Sequence, residues 1–215
     1  MTDAIVVRAL GRTEYEACWR DMQAWTAART PDTPDELWLT EHPPVYTLGL
    51  AGRREHLLQA NPIPVLKVDR GGQVTYHGPG QLIAYVMVDL ARRGLGIRAL
   101  VRRLEGAVIQ WLDSSTISAY AKASAPGVYV QRDGREAKIA ALGLKVRNGC
   151  TYHGIAVNVA MDLAPFSRIN PCGYAGLEMT DLAALGGPTD LRTVATELAP
   201  NLLRELGIAN GDWVS

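Results

Sequence analysis

Residues 127–160 read GVYVQRDGREAKIAALGLKVRNGCTYHGIAVNVA, and this stretch decides the fold class. Val, Ile, Tyr and Ala dominate three runs, at 127–132, 138–147 and 151–160, each suited to a β-strand. Asp133-Gly134 separates the first two runs. That dipeptide tolerates φ > 0 at both positions and closes tight hairpins, so antiparallel neighbours are expected here. Working outward, strands are expected at 4–9, 37–41, 64–69, 73–76 and 81–89, with Pro43 and Pro44 breaking the second of them. On the other side, residues 164–180 have no period and read as a long ordered loop.

Three helical patterns interrupt the strands. The first starts at Thr13, where Thr13 and Glu16 have capping-box spacing, and Tyr15, Cys18, Trp19, Met22, Trp25 and Thr26 recur at helical intervals. Cys18 therefore belongs to a buried face. The second covers 97–113, with Ile97, Leu100, Val101, Leu104, Val108 and Trp111 on its apolar side. The third covers 190–206 and stops at Gly207, a residue suited to the left-handed position past a helix end. Pro200 is expected to kink or split it. Strands interleaved irregularly with three helices indicate an α+β fold. We expect a single domain over 1–215, with a mixed, mainly antiparallel central sheet flanked by helices.

Composition narrows the function. The chain has 215 residues, 47% of them hydrophobic, enough for a core without covalent staples. Its 22 basic and 22 acidic residues cancel, which argues against a nucleic-acid partner. Three cysteines without regular spacing make a poor disulfide framework, so a reducing compartment is expected. The start MTDAIVVRAL lacks the basic region of a signal peptide, and the apolar stretch 82–88 stops at Asp89, far short of the ~20 residues that span a bilayer. A cytoplasmic protein with no membrane partner is the expectation.

Two regions carry chemistry. Residues 68–81, VDRGGQVTYHGPGQ, hold four glycines flanked by Arg70 and His77. Glycine lets a ligand approach the backbone, although the same glycines also suit a plain turn. Neither a phosphate loop nor a dinucleotide fingerprint is present. Among the cysteines, Cys18 lies in a helix stripe and Cys150 follows the turn Asn148-Gly149. Cys172 sits between Pro171 and Gly173 in the long loop, and that position favours it as a nucleophile. A cysteine thiol, with a free pKa of about 8.5, needs a nearby cation to ionise at neutral pH. Lys138, Lys145, His77 and His153 are the candidates. Lys138 opens the apolar run KIAALGL and fits either a half-buried proton-transfer group or a charged guard on a sheet edge. No spacing of His and Cys fits a metal site. Arg92, Arg93, Arg98, Arg102 and Arg103 cluster around the start of the second helix, as either a docking patch for an acidic partner or an ordinary solvated face.

Four long motifs then stand in order: ELWLTEHPPVYTLG at 36–49, DRGGQVTYHGPGQLIAYVMVDL at 69–90, KIAALGLKVRNGCTYHGIAVNVAMDL at 138–163 and INPCGYAGLEMTDL at 169–182. With them the chain closely resembles, over nearly its whole length, the octanoyltransferases of lipoate metabolism, which are related in fold to lipoate- and biotin-protein ligases. The resemblance implies an acyltransferase that catalyses the first step of endogenous protein lipoylation. The donor would be octanoyl-acyl carrier protein. The acceptor would be the lysine of lipoyl domains, in the E2 subunits of 2-oxoacid dehydrogenases and in the glycine cleavage H protein. It implies a thioester on Cys172, assisted by Lys138, with no cofactor and no metal. It also implies substrate contacts from Arg70, Gly71, Gly72, Gln73, Val74, Thr75, Tyr76 and His77, from Ala141, Leu142 and Gly143, and from Gly154, Ile155 and Ala156. Glycines 71, 72 and 78 are expected to make room for the acyl chain. Three other readings compete. One is an ATP-dependent lipoate- or biotin-protein ligase, another a non-catalytic acyl-carrier-binding protein, and the third a cysteine hydrolase using Cys172 with His77 or His153.

Overall fold

The computed structural model describes residues 5–58, 62–173, 176–209 and 211–214. In chain order the elements are β1 (Ile5–Arg12), α1 (Tyr15–Ala28), β2 (Asp35–Glu41), β3 (Val45–Leu48), β4 (Val65–Lys67), β5 (Val74–His77), β6 (Gln81–Met87) and α2 (Ile97–Ser114). They continue with β7 (Ala119–Ala121), β8 (Gly127–Arg132), β9 (Arg135–Arg147), β10 (Cys150–Asn158), β11 (Glu178–Met179), α3 (Leu191–Glu205) and β12 (Gly211–Val214). Among the described residues, a nine-stranded sheet runs in the order β12-β1-β2-β6-β10-β9-β8-β7, with β11 added on β9. A smaller sheet has the order β4-β3-β5.

The pairing is mixed. β1 runs parallel to β2, with α1 as the crossover, and parallel to β12. From β2 through β6, β10, β9 and β8 to β7, every pair is antiparallel. The α+β expectation is met. Asp133 and Gly134 take φ of 50° and 76° and close β8 onto β9, as the dipeptide predicts. Asn148 and Gly149, at 51° and 77°, close β9 onto β10 in the same way. The turn at Asn148-Gly149 is thus a second hairpin.

Both faces of the large sheet are covered. Along β6, Leu82, Ala84 and Val86 face α2 and α3, joining Leu104, Trp111, Leu198 and Leu202. Ile83, Tyr85 and Met87 face α1 and meet Cys18 and Met22. A strand buried on both sides loses the polar half of its alternation, which is why 81–87 reads as one apolar run. Cys18 is in the core, as its helical stripe predicts.

Three local expectations change. α1 is capped by the main chain of Glu14 without a side-chain bond, because the Thr13 hydroxyl is held 2.8 Å from the Thr40 hydroxyl instead. Pro200 lies inside α3 without splitting it. Leu198, Ala199, Leu202 and Leu203 around it are buried, and burial of large apolar side chains at roughly 1.5–3 kcal/mol each outweighs the ~3 kcal/mol proline penalty. Within the ordered loop expected at 164–180, the described residues add short elements, 3₁₀ turns at Ala164–Arg168 and Pro171–Gly173 and then β11. The end of α3 is as expected. Asp190 accepts from the Thr193 amide at 2.7 Å, and Gly207 and Ile208 donate to Arg204 and Leu203 in a Schellman motif. Among the described residues, no helix is long and apolar enough to cross a membrane.

Candidate active site

A cavity of about 350 Å³ lies where β9, β10, the 70–75 segment and the first turns of α2 meet. The size is typical of small-molecule sites. Of the residues expected to touch substrate, 70–75 and 77, 141–143 and 154–156 line it. Tyr76 does not. It follows the β5 alternation to the opposite face, where its ring packs 5.5 Å from Tyr46 and 5.4 Å from Phe166. The walls are largely apolar, with Val74, Ile83, Val101, Leu142, Leu144 and Ile155.

Two glycines make this geometry possible. Gly143 and Gly154 are directly paired across β9 and β10. A Cβ on Gly154 would sit 1.9 Å from the Ala84 carbonyl, and one on Gly143 would sit 2.9 Å from the Gly71 carbonyl. With no side chain at Gly143, the 70–73 segment packs close over β9, and the Gly71 amide donates to the Leu144 carbonyl at 2.9 Å; Gly154 instead leaves room for the backbone of β6. Gly71 and Gly72 line the cavity, but Gly78 does not. A Cβ at Gly78 would strike the Tyr76 hydroxyl, so Gly78 accommodates a tyrosine ring and not an acyl chain.

One end of the cavity is polar. Arg70 donates to the Thr47 hydroxyl and carbonyl and to the Gly71 carbonyl. His77 stacks on Tyr15, and its Nδ1 lies 2.8 Å from Gln81 Oε1, so it donates there. Burial, reinforced by His42 and Arg70, pushes His77 down to about 3. Burial likewise pushes His42 down to about 4, and its Nε2 accepts from the Tyr85 hydroxyl. His153 has φ of 61° in the middle of β10, and its Nε2 donates to Asp69 at 2.9 Å. Burial shifts it downward too, although Asp69 pulls the other way. Burial of Asp69 favours its neutral form. Hydrogen bonds from His153, Tyr152, Gln23 and Trp19 overcome that and hold the carboxyl well below its usual range. Burial thus pushes two of the four suggested cations, His77 and His153, toward the neutral form. His153 pairs with Leu144, six residues and roughly 20 Å along β9 from Lys138.

Lys138 is at the other end. It is fully buried on β9, paired with Tyr129 of β8 on one side and Met179 of β11 on the other, which rules out a guard on a sheet edge and exceeds the half-burial expected. Its Nζ donates to the Pro126 carbonyl at 3.1 Å and lies 4.9 Å from the Tyr129 ring centre. Pro126 lines the cavity, so Nζ is one hydrogen bond from the wall. The Pro171–Gly173 turn packs beside Gln73. A Cβ on Gly173 would come within 3.2 Å of the side chain of Gln73, which lines the cavity. Downstream, the Thr180 amide donates to the Lys138 carbonyl at 3.0 Å. The side chain of Cys172 lies outside the described residues. Cys150 is buried beside the Asp35 cluster, and Lys145 is on the far stretch of β9, paired with Tyr152.

Sequence reasoning missed Tyr15, Ile83, Tyr85, Ile97, Val101, 124–126 and Leu144 in the lining, and Asp69 behind it. Ile97 and Val101 were read as core because four-residue spacing marks a buried face without saying what covers it. The arginine cluster divides. Arg92 and Arg93, with Arg29, surround the fully buried Asp35 at 3.2, 2.7 and 2.6 Å, and Arg103 donates to the Glu205 carbonyl. Arg98 and Arg102 remain exposed.

The fold is that of lipoate-protein ligases. An archaeal example from Thermoplasma acidophilum, part of a bipartite ligase, superimposes with a TM-score of 0.76 over 99% of this chain and 88% of its own, at 17% identity. The family model described as the lipoyl protein ligase A/B catalytic domain matches residues 15–202. Two relatives named octanoyltransferase are much closer in sequence. One, from Thiobacillus denitrificans, is 64% identical over 85% of this chain and 82% of its own. The other, from Burkholderia pseudomallei, is 58% identical over 94% of this chain and 91% of its own. The chain belongs to the lipoyl protein ligase A/B catalytic-domain family, among its octanoyltransferases.

Proposed function

We propose that this chain, acting as one cytosolic acyltransferase domain, moves an octanoyl group from octanoyl-acyl carrier protein to the lysine of a lipoyl domain. The acceptors are lipoyl domains of 2-oxoacid dehydrogenases and the glycine cleavage H protein. The reaction has two halves. The Cys172 thiolate attacks the donor carbonyl, a thioester forms on sulfur, and the carrier's thiol leaves. The acceptor lysine, as a free amine, then attacks that thioester to form an amide, and the Cys172 thiolate leaves. The first exchange is close to neutral and the second is downhill, so no nucleotide is needed.

What supports this reading is a largely apolar cavity with a fully buried lysine one hydrogen bond behind its wall, and the Pro171–Gly173 turn packed beside Gln73 of its lining. Burying an octanoyl chain there is worth roughly 5 kcal/mol, at about 0.8 kcal/mol per CH₂. Lys138 supports the thiolate as a cation and takes the proton from the incoming lysine when neutral, so the titrations of the lysine and the cysteine are shared. The substrate contacts are residues 70–75 and 77, 141–143 and 154–156, with Tyr76 serving the packing behind them.

Intact-protein mass spectrometry after incubation with octanoyl-acyl carrier protein tests the scheme. The expected product is an octanoyl adduct that hydroxylamine removes and that a Cys172→Ala variant does not form. Full activity of that variant with ATP and free octanoate would replace the transferase reading with a ligase.

A further inference from the structure

Ile97 and Val101 line the cavity from α2. Four residues on, in the same row of the helix, comes Glu105. It is the charged residue among those α2 buries, 5% exposed. Its Oε1 accepts from the Gly127 amide at 2.8 Å. The carbonyl of that same peptide, Pro126 O, accepts from Lys138 Nζ at 3.1 Å. One peptide unit is therefore held between a carboxylate and an ammonium. Each end strengthens the hydrogen bond at the other, because a peptide polarised at its N–H becomes a better acceptor at its oxygen.

The backbone is shaped for this link. Gly127 has φ of 136°, a conformation that side chains rarely tolerate, and a Cβ there would sit 2.6 Å from the Ala140 carbonyl and 3.1 Å from Lys138 Nζ. On β9, Tyr129 pairs with Lys138 and Val128 with Ala140, leaving Ile139 unpaired. Such a bulge re-aims the neighbouring side chain. The Tyr129 hydroxyl donates to the Ala125 carbonyl at 2.8 Å, tying the ring beneath Nζ to the same loop. A carboxyl on a buried helix face is costly, and an apolar residue of similar shape would stabilise the packing better. Burial does push the Glu105 carboxyl upward, opposed by the Gly127 amide, Lys138 and Arg102.

We propose that Glu105 is a positioning residue of the transfer site: acting through the Pro126–Gly127 peptide, it fixes Lys138 Nζ at the cavity wall and favours its protonated form. The inference rests on the reading of Lys138 as the working base. Other titratable groups around Lys138 are Tyr129 on β8, Lys122 across that ring, Glu136 on β9, Arg102 on α2 and Glu178 on β11, which pairs with Arg135. Cys172 joins them if the thioester scheme holds.

The chain has only four lysines, at 67, 122, 138 and 145, so each side-chain signal can be assigned by substitution. The experiment follows the Lys138 signal by heteronuclear NMR against pH, alongside the pH profile of kcat with octanoyl-acyl carrier protein. Glu105→Gln keeps an acceptor for the Gly127 amide and removes the charge. It is expected to move the Lys138 titration down by about one pH unit, to move with it the ascending limb of kcat along which Lys138 loses its proton, and to leave KM for the carrier unchanged. Glu105→Asp keeps the charge, is expected to restore most of both, and serves if the Gln variant does not fold. A folded Glu105→Gln protein whose Lys138 titrates as in the wild type overturns the proposal. If Lys138→Met retains full transfer, the reading of Lys138 as base fails separately, and the NMR shift still decides whether Glu105 and Lys138 are coupled.

Discussion

The two ends of the cavity treat basic side chains differently. At one end, Lys138 has a carbonyl, an aromatic face and a nearby carboxylate around its ammonium. At the other, His42, His77 and His153 are all pushed toward the neutral form by burial. The tetrapeptide Thr-Tyr-His-Gly occurs there twice, at 75–78 and 151–154. On β5 it alternates normally and sends Tyr76 away from the cavity. On β10 it takes a positive φ at His153, and Tyr152 and His153 both reach Asp69. Burial alone therefore does not set the chemistry of a basic group. What matters is which oxygen atoms the fold brings to it.

The strongest way to break this contrast is by substitution at both ends. Lys138→Met is expected to lower kcat for octanoyl transfer by about 10³-fold, a loss typical of a proton-transfer group. His77→Gln and His153→Gln should each cost less than about tenfold, since neither reaches Lys138. A histidine variant as damaged as the lysine variant in a steady-state assay would erase the distinction.

Stability separates the two copies of the tetrapeptide. Gly154→Ala drives a Cβ into the Ala84 carbonyl and should cost about 3 kcal/mol or more in urea unfolding. Gly78→Ala meets only the tip of the Tyr76 side chain and should cost less.

Acid sensitivity sharpens the neutral end. His42 and His77 have folded pKa values near 4 and 3, below the ordinary 6.5, so the unfolded chain binds more protons between those limits. Their contribution to stability is complete above about 6.5 and falls as pH drops toward 3. A His42→Gln/His77→Gln protein should show a flatter dependence of unfolding free energy on pH across that window, measured by urea titration.

The smallest effect is expected outside the cavity. With Arg92, Arg93 and Arg103 committed to Asp35 and Glu205, the exposed Arg98 and Arg102 are what remains for docking an acidic carrier. Reversing both to Glu should raise KM about threefold at low salt and flatten its salt dependence. Unchanged kinetics would leave them as a solvated face.

Much of this was legible in advance. The Asp133-Gly134 turn, the helical rows of α1 and α2 and the Gly207 stop rest on backbone preferences within a few residues. The strip 70–77 and the strands around Gly143 and Gly154 could be named as a site because their motifs are contiguous. Asp69 lay within one of those motifs and was still overlooked, since its partners Trp19, Gln23, Tyr152 and His153 are 46 to 84 positions away. Glu105 reads as an ordinary helix glutamate until the Gly127 amide is placed against it. Arg92 and Arg93 look like surface charges until Asp35 is buried between them.

The sequence by itself determined which segments extend, which coil, and where glycine leaves room for a close approach, because φ/ψ preference and apolar period are local properties. Only the tertiary structure decided that burial pushes three histidines toward the neutral form, that Tyr76 faces away from the cavity, and that one peptide joins Glu105 to Lys138. Those outcomes depend on desolvation and on hydrogen-bond partners supplied by distant strands, and no local pattern records them.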